Sequence, residues 1–250
     1  MSPAAVLLPP RGHLRATGSV DYIDHYYRGA LGLALRERLR WVREALPHEG
    51  CTRLLEIGYG SGVFFYEAVR HADLVIGVDI HPWGADVQRR CAADGVKVTT
   101  IQGDGCMLPL AASSVDVIVM ISMLEFPDDP VHCLRESLRV LRPGGRIIAV
   151  TPRIHAWSDA LWGAISGIDP EAEFHGGRQR VERALIDAER RLGGVVIERY
   201  PRPRPLPRAL APYDLVVIRQ RPRRDRRSTP RNAHFDVESV ANTGAEQNLP

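Results

Sequence analysis

The sequence predicts an α/β fold: a doubly wound, Rossmann-like sheet of seven strands, mostly parallel, with an antiparallel hairpin at one edge. Three observations carry this prediction. Short apolar runs alternate with helical patterns, a glycine-rich turn follows the first run, and no helix separates the last two runs. At 250 residues, the chain is long enough to bury one sizeable core.

The predicted strands are runs rich in Val and Ile. Five of them are almost continuously apolar, which is typical of a parallel sheet covered on both faces. These five lie at 53–58, 74–80, 97–103, 115–122 and 146–152. Two further strands, at 195–201 and 213–220, are joined by a Pro- and Arg-rich connection and can therefore pair antiparallel at the edge of the sheet.

Helices are predicted between the strands, where apolar residues recur at helical spacing. They lie at 62–71, 84–95, 129–145 and 178–194, with one or two more at 21–46. The turn "RPGG" is expected to stop the third of these helices before the fifth strand.

Composition and charge narrow the class of protein. No apolar run approaches the roughly 20 residues of a membrane helix, and "MSPAAVLLPP" lacks the basic start of a secretory signal. The four cysteines form no CxxC pair, so we expect no metal site and a reducing, cytoplasmic location. Residues 219–250 hold seven Arg against four acidic residues, which accounts for the whole net charge of +3.

The tail at 222–250 is predicted to be disordered, because it lacks apolar periodicity and is rich in Arg, Pro, Asn and Ser. The alternative is an arm that binds nucleic acid through its arginines. The tail has no interleaved aromatic residues and no recognisable binding module, so we favour disorder.

The stretch "RLLEIGYGSGVFF" places Gly58, Gly60 and Gly62 directly behind the first strand. Glycines allow positive φ angles and let a ligand approach the backbone closely. A dinucleotide fingerprint needs a glycine where this chain has Val63. Because Glu56 inside the strand would repel a pyrophosphate, the turn favours an adenosine compound with an amino-acid end over NAD.

Two more carboxylates stand at the ends of the next two strands. Asp79 can accept hydrogen bonds from ribose hydroxyls, and Asp104 can accept one from an exocyclic amine. Taken in chain order, Glu56, Asp79 and Asp104 match the amino group, the ribose and the adenine of such an adenosine compound. Each also has a purely structural alternative: a strand-edge carboxylate for Glu56, a helix N-cap for Asp79 and a turn for Asp104.

Four elements in this order resemble the class I S-adenosylmethionine-dependent methyltransferases, in particular their small-molecule, methyltransferase-11-like branch. The elements are "LLEIGYGSG", "GVDI", "GDGCMLPLAASSVDVIV" and "RESLRVLRPGGRIIAVTP". The resemblance runs from about residue 53 to 150, and more loosely to 220. It implies S-adenosylmethionine as the cofactor, held by Glu56, Gly58, Tyr59, Gly60, Gly62, Asp79, Ile80, Gly103, Asp104, Gly105, Cys106, Ser122 and Met123.

The catalytic base is not identified by the sequence. Methyl transfer from a sulfonium is a displacement in which the cofactor supplies most of the reactivity, so a fixed triad is not required. The candidates are His25, Glu125, His155 and His175; an imidazole titrates near neutral pH, although each of these histidines can equally be a surface or packing residue. Where enzymes of this fold that methylate amines often carry an Asn- or Asp-Pro-Pro-aromatic run, this chain has "SMLEF".

Three domains are predicted: an N-terminal helical cap at 1–48, a methyltransferase domain at 49–221 with a lid insertion at about 153–178, and the tail at 222–250. Aromatic residues of the cap and the lid, including Trp157 and Trp162, are expected either to surround an acceptor or to pack in the lid's own core.

The predicted function is transfer of a methyl group to a small-molecule acceptor at oxygen, carbon or nitrogen, by a monomer or homodimer without membrane contact. Two alternatives stay open. One is a non-catalytic protein of the same fold that binds S-adenosylmethionine, and the other is an RNA methyltransferase that uses the basic tail.

Overall fold

The computed structural model describes residues 5–18, 23–166 and 169–221, and the predicted tail lies outside these ranges. Seven strands form one sheet: β1 Cys51–Ile57, β2 Ala72–Asp79, β3 Thr99–Gln102, β4 Val115–Ile121, β5 Leu141–Pro152, β6 Val195–Arg202 and β7 Tyr213–Gln220. Their order across the sheet is β3-β2-β1-β4-β5-β7-β6.

The first five strands are parallel, and β1 and β4 lie at the centre of the sheet. Leu54 of β1 aligns with Val75 of β2 on one side and with Val117 of β4 on the other. From β1 the chain adds β2 and β3 towards one edge of the sheet. It then crosses back, and β4 pairs with the other side of β1. The carboxyl ends of β1 and β4 therefore form a topological switch point, where doubly wound sheets bind ligands.

The last two strands form the predicted hairpin at one edge. β7 is antiparallel to β5, with Ala149 opposite Val216, and β6 is antiparallel to β7. The predicted fold class, a mostly parallel seven-stranded sheet with an antiparallel edge, is confirmed.

Helices cover both faces of the sheet, and two apolar cores separate them from it. One core joins β1 and β2 to the long N-terminal helix through Leu35, Leu39 and Val42, and the other contains Leu134 and Leu185 from the opposite face. The helices are α1 Gly29–Ala45, α2 Phe65–Ala68, α3 Gly84–Ala93, α4 Pro130–Val140, α5 Ala156–Ser166, α6 Pro170–Phe174 and α7 Gly177–Leu192, with a 3-10 helix at Asp24–Tyr27. None of the helices in the described ranges combines the length and apolar character that crossing a membrane requires.

The helix behind the glycine turn is shorter than predicted. Residues 60–64 are turns, because Gly60 and Gly62 have φ angles of 52° and 79°, and the helix covers only Phe65–Ala68. A helix of four residues has little dipole, so the turn binds through its backbone geometry rather than through the helix N-terminus.

The "RPGG" turn also differs from its prediction. The preceding helix ends at Val140, and the structure places the turn inside β5, which begins at Leu141 and shifts register against β4 near Val115. The turn is therefore part of the fifth strand, since Gly145 lets this strand pass close to the backbone of Asp116: a Cβ added there would lie 2.6 Å from the Asp116 carbonyl oxygen.

A buried ion cluster holds the edge hairpin to the sheet. Asp214 of β7 is fully buried; its Oδ2 accepts hydrogen bonds from Nε and Nη2 of Arg199 at 3.0 and 2.5 Å, and its Oδ1 accepts one from Nη1 of Arg153 at 3.4 Å. The cluster links β6, β7 and the segment after β5. Removing one partner of such a cluster leaves buried charges uncompensated.

We therefore expect Asp214→Ala to lower the free energy of unfolding by about 3 kcal/mol, measured by urea denaturation at neutral pH. The control is Glu198→Ala on the neighbouring strand, which removes a half-exposed pair with Arg219 and is expected to cost less than about 1 kcal/mol. Equal losses for the two variants would contradict this account of the hairpin.

Candidate functional site

A cavity of about 1230 Å³ opens over the carboxyl ends of the central strands. This is larger than the roughly 300–1,000 Å³ of a typical small-molecule site, so it offers room for a cofactor together with a second small molecule. Its floor comes from the ends of β1, β2 and β4, and its walls come from α1 and the segments after β5. The predicted residues that line it are Glu56, Gly58, Tyr59, Gly60, Asp79, Ile80, Gly103, Asp104, Gly105, Cys106, Ser122 and Met123.

Gly62 is the one predicted cofactor residue that does not line the cavity. A Cβ added there would lie 2.7 Å from Cδ2 of Phe65 and 3.0 Å from Cγ1 of Val87, so the residue faces the core. The glycine is required by packing and by its φ angle of 79°, and its predicted role in holding the cofactor stays a prediction.

The backbone at Gly58 and Gly60 faces the cavity. A Cβ added to Gly58 would lie 2.4 Å from Cγ of Met123, so any larger residue would displace that side chain. At Gly60 the nearest atom to an added Cβ is Oγ1 of Thr17, 3.8 Å away. The N-terminal segment at Thr17 thus lies close to the glycine turn.

Asp79 joins the end of β2 to this turn. Its Oδ2 accepts a hydrogen bond from the backbone N–H of Gly60 at 2.8 Å, and its Oδ1 accepts one from the backbone N–H of His81 at 3.3 Å. A carboxylate oxygen can accept more than one hydrogen bond, so Asp79 retains acceptor capacity towards the cavity.

Glu56 is nearly fully buried at the end of β1, with 3% of its surface exposed. Its Oε2 has no hydrogen-bond partner among the described residues. Burial, and then the nearby charge of Asp79, raise the pKa of this carboxyl well above its usual range. A buried acceptor without a partner is costly, and an ammonium group at this place would satisfy it and favour the ionised form.

Asp104 is exposed, and its Oδ1 accepts a hydrogen bond from the backbone N–H of Cys106 at 2.8 Å. The carboxylate therefore stabilises its own turn, as the structural alternative expected. Gly105 allows the close approach of this turn to the sheet, because an added Cβ would lie 2.7 Å from Cγ2 of Ile57. Asp104 is also one of the residues that line the cavity.

The four candidate catalytic residues are in different surroundings. His175 lines the cavity from the end of α6, where its φ angle is 45°. His25 lies in the 3-10 helix, and His155 shares a hydrogen bond of 2.9 Å between its Nε2 and the carbonyl oxygen of Ala211; neither lines the cavity.

Glu125 is fully buried behind the cavity wall, and neither of its carboxyl oxygens has a hydrogen-bond partner among the described residues. Burial raises the pKa of Glu125 from 4.5 to about 8, while the charges of Arg38 and Arg178 act in the opposite direction. The carboxyl is therefore mostly protonated at neutral pH, which is the wrong state for a general base.

Sequence reasoning missed Arg38. This residue of α1 is 8% exposed, lines the cavity, and donates a hydrogen bond from Nη1 to Oγ of Ser122 at 2.9 Å. The signal was available: position 38 falls on the same helical face as the apolar stripe of Leu35, Leu39 and Val42, where a charged residue is unusual.

Aromatic side chains line much of the cavity. Phe126 after β4 and Phe174 of α6 meet edge to face with ring centroids 5.8 Å apart. Further aromatic residues in the lining are Tyr26, Trp157, Trp162 and Tyr213. This composition suits a planar or apolar ligand.

Arg178 fastens the segments after β5 to α7. It is 4% exposed and donates hydrogen bonds to Asp159 of α5 at 2.6 Å and to Glu171 of α6 at 3.3 Å. Its neighbour Gly177 packs so closely on Glu125 that an added Cβ would lie 1.8 Å from the Glu125 carbonyl oxygen. The lid is thus attached both to α7 and to the loop after β4.

Comparison with known proteins places this site in a family. Residues 55–149 match the family model described as a methyltransferase domain. Demethylmenaquinone methyltransferase of Tropheryma whipplei (strain Twist) is 30% identical over 128 residues, which are 49% of this chain and 52% of that protein. Ubiquinone biosynthesis O-methyltransferase of Aeromonas salmonicida (strain A449) is 29% identical over 119 residues, which are 46% of this chain and 49% of that protein.

Solved structures share the fold. A methyltransferase from Aquifex aeolicus, described as dependent on S-adenosylmethionine, superposes with a TM-score of 0.52 at 15% identity, covering 72% of this chain and 88% of that one. The chain spans between 39% and 52% of the length of the first curated relatives that it matches.

The fold, the switch-point cavity and the matched domain define a class I methyltransferase domain. Residues 55–149 match the model of a methyltransferase-domain family, as the four sequence elements predict, and the chain shares the fold of methyltransferases that depend on S-adenosylmethionine. S-adenosylmethionine is accordingly the cofactor of this family.

The raised pKa of Glu125 predicts how stability depends on pH. The unfolded chain ionises this carboxyl near 4.5 and the folded protein only near 8, so the stability contributed by burying the neutral form is complete below pH 4.5 and is lost as the pH rises through about 8. Glu125→Gln keeps the shape without the ionisation. Relative to wild type, we expect this variant to gain about 2–4 kcal/mol of unfolding free energy between pH 5 and pH 9.

The measurement is urea denaturation at several pH values. Glu182→Gln, an exposed change on α7, is the control and is expected to track the wild type at every pH. A constant difference between Glu125→Gln and wild type across this range would contradict the assigned pKa.

Proposed function

We propose that this protein transfers a methyl group from S-adenosylmethionine to a small-molecule acceptor. The observation that carries the proposal is the buried, unpartnered Oε2 of Glu56 beside Asp79, at the switch point of the sheet. An ammonium group and a ribose, the two polar parts of the cofactor nearest its sulfur, match these two carboxylates.

The cofactor would lie along the ends of β1 and β2. Glu56 would accept hydrogen bonds from the ammonium group and Asp79 from the ribose hydroxyls, with the adenine amine towards Asp104. We assign the carboxylate of the cofactor to Arg38, the buried cation that lines the cavity on the same side as Glu56. The backbone at Gly58 and Gly60 would support the ligand without steric hindrance.

The bound cofactor supplies an electrophilic methyl group on a sulfonium, and the protein's part is alignment and exclusion of water. Arg38 holds the Ser122 hydroxyl by a hydrogen bond of 2.9 Å and so fixes the end of β4 beside the turn. The lid and α1 cover the cavity and keep water away from the reacting groups.

A small acceptor is favoured over a polymer by the shape and lining of the cavity. Aromatic side chains from the lid, from the loop after β4 and from β7 line the cavity, as a planar or apolar molecule would require. The two quinone-pathway relatives are named for small molecules of this kind. The domain boundaries at 48 and 221 and the lid at about 153–178 are part of this proposal.

No base is assigned to the reaction. His175 is the only one of the four candidates whose side chain lines the cavity, and the buried Glu125 carboxyl is protonated at neutral pH. We therefore propose an acceptor that is nucleophilic without strong assistance, at oxygen, carbon or nitrogen. A non-catalytic protein that binds the cofactor, and an RNA methyltransferase that uses the tail, are the alternatives.

The decisive test is incubation of the protein with methyl-labelled S-adenosylmethionine and a host metabolite extract, followed by identification of labelled products by mass spectrometry. We expect a labelled small molecule, and the same product from a chain shortened to 1–221. Cofactor binding without any labelled product would support the non-catalytic alternative. In a parallel incubation with total host RNA, label in RNA that is lost when the chain is shortened to 1–221 would support the RNA alternative.

Asp79→Ala is expected to raise the dissociation constant for S-adenosylhomocysteine about tenfold or more, because hydrogen bonds to a carboxylate are lost and the Gly60 amide is released. Isothermal titration calorimetry measures this constant. Asp73→Ala is the matched control, since this aspartate is exposed at the opposite end of β2 and should leave the affinity unchanged. If both substitutions changed the dissociation constant equally, Asp79 would not be the residue that binds the ribose.

A further inference from the structure

His81 follows β2 directly and holds two backbone groups of the site with its ring. Its Nδ1 lies 3.1 Å from the backbone N of Trp83, and its Nε2 lies 2.9 Å from the carbonyl oxygen of Gly60. The side chain is 9% exposed and lines the cavity. These contacts were not predicted from the sequence.

The two partners determine which ring nitrogen carries the proton. The Trp83 N–H can only donate, so Nδ1 must accept, and the Gly60 carbonyl can only accept, so Nε2 must donate. The arrangement requires the neutral imidazole with its proton on Nε2. A ring protonated on both nitrogens would point its Nδ1–H at another donor and lose the bond to Trp83.

The peptide groups on both sides of the Gly60 Cα are consequently held. Asp79 accepts from the Gly60 N–H at 2.8 Å, and His81 donates to the Gly60 carbonyl oxygen at 2.9 Å. Since Gly60 has a φ angle of 52° and no side chain, these two bonds fix the orientation of the two peptide groups that flank a residue lining the cavity.

Other groups around the ring define its electrostatic setting. Tyr59 packs edge-on with its ring centroid 5.0 Å away, and Asp79 Oδ2 lies 3.7 Å from Nε2 and favours a positive ring. On the other side, Arg15 stacks 3.6 Å above the ring of Trp83, and its cation opposes a second positive charge nearby.

We propose that His81 is a positioning residue for the cofactor: the neutral ring fixes Gly60 and Trp83, and gaining a second proton loosens the turn and weakens the binding of S-adenosyl ligands. The inference rests on the proposed function for its ligand but on the described contacts for its mechanism. The His81 side chain thus makes the geometry of the glycine turn depend on pH.

Two substitutions separate the two bonds of the ring. His81→Gln places an amide N–H where Nε2 stands, so it keeps the bond to the Gly60 carbonyl oxygen and does not titrate. His81→Asn places a carbonyl oxygen near the position of Nδ1, so it keeps an acceptor for the Trp83 N–H but cannot reach Gly60. His132→Gln removes another imidazole from the wall of the same cavity and is the matched control.

Calorimetry with S-adenosylhomocysteine at pH 8.0 and pH 5.5 gives the first readout. At pH 8.0 we expect His81→Gln to bind within about threefold of wild type and His81→Asn about tenfold more weakly, the loss typical of one hydrogen bond. Between the two pH values the wild type and His132→Gln should lose about tenfold more affinity than His81→Gln. All these proteins share the ligand and the other charged groups of the site, so this difference isolates the contribution of the His81 ring.

The second readout needs no ligand. Long-range proton–nitrogen NMR of the free protein should show His81 with its proton on Nε2 at pH 8.0, and the Gly60 amide resonance should move in His81→Asn but not in His81→Gln. A ring with its proton on Nδ1, or equal pH dependence in wild type and His81→Gln, would overturn the proposal. If no variant binds S-adenosylhomocysteine while the NMR result holds, the proposed cofactor is wrong and the role of His81 in holding Gly60 stands.

Discussion

The hydrogen bond from the Gly60 amide to Asp79 is the constraint on which the site depends. It joins the turn after β1 to the end of β2 across 2.8 Å, and the His81 ring binds the carbonyl oxygen of the same glycine. Because β1 and β2 are parallel neighbours, this bond can form only if both strands end together, which their register provides. The pairing of β1 with β2 thus fixes the conformation of the glycine turn at the carboxyl ends of the central strands.

The charged groups that line the cavity include two buried cations, Arg38 and Arg178, and the carboxyls of Glu56 and Asp79. Arg38 lowers the pKa of Tyr26 and Glu125 against the opposing effect of burial, whereas the pKa of Glu56 rises through burial and the charge of Asp79. A zwitterionic ligand would place its ammonium group beside Glu56 and its carboxylate beside Arg38. The buried Oε2 of Glu56, which has no hydrogen-bond partner among the described residues, is the atom that such a ligand would satisfy.

Sequence patterns predicted the seven strands because each contains a local run of β-branched residues, and the central strands β1 and β4 are also buried apolar runs. The patterns were less informative where one local pattern serves two purposes: Gly62 belongs to the glycine motif but packs on Phe65, and "RPGG" is typical of a helix stop but lies within β5. The hydrogen bond between His81 and Gly60 joins residues 21 positions apart, so no local sequence pattern predicts it. The carboxylates at strand ends were predictable because parallel strands bring their carboxyl ends to one edge.

The direction of β7 determines where the last part of the chain begins. Arg219 pairs with Arg146 in the middle of β5, whereas Tyr213 pairs with Pro152 near the cavity, and the backbone N–H of Arg221 donates to the carbonyl oxygen of Gly194 at 2.6 Å. At about 3.3 Å per residue, the seven residues of this antiparallel pairing separate the two points by roughly 20 Å. The polypeptide after Arg221 is therefore tethered at the pole of the domain opposite the cavity mouth, so a ligand held there would be attached at a distance from the reacting groups.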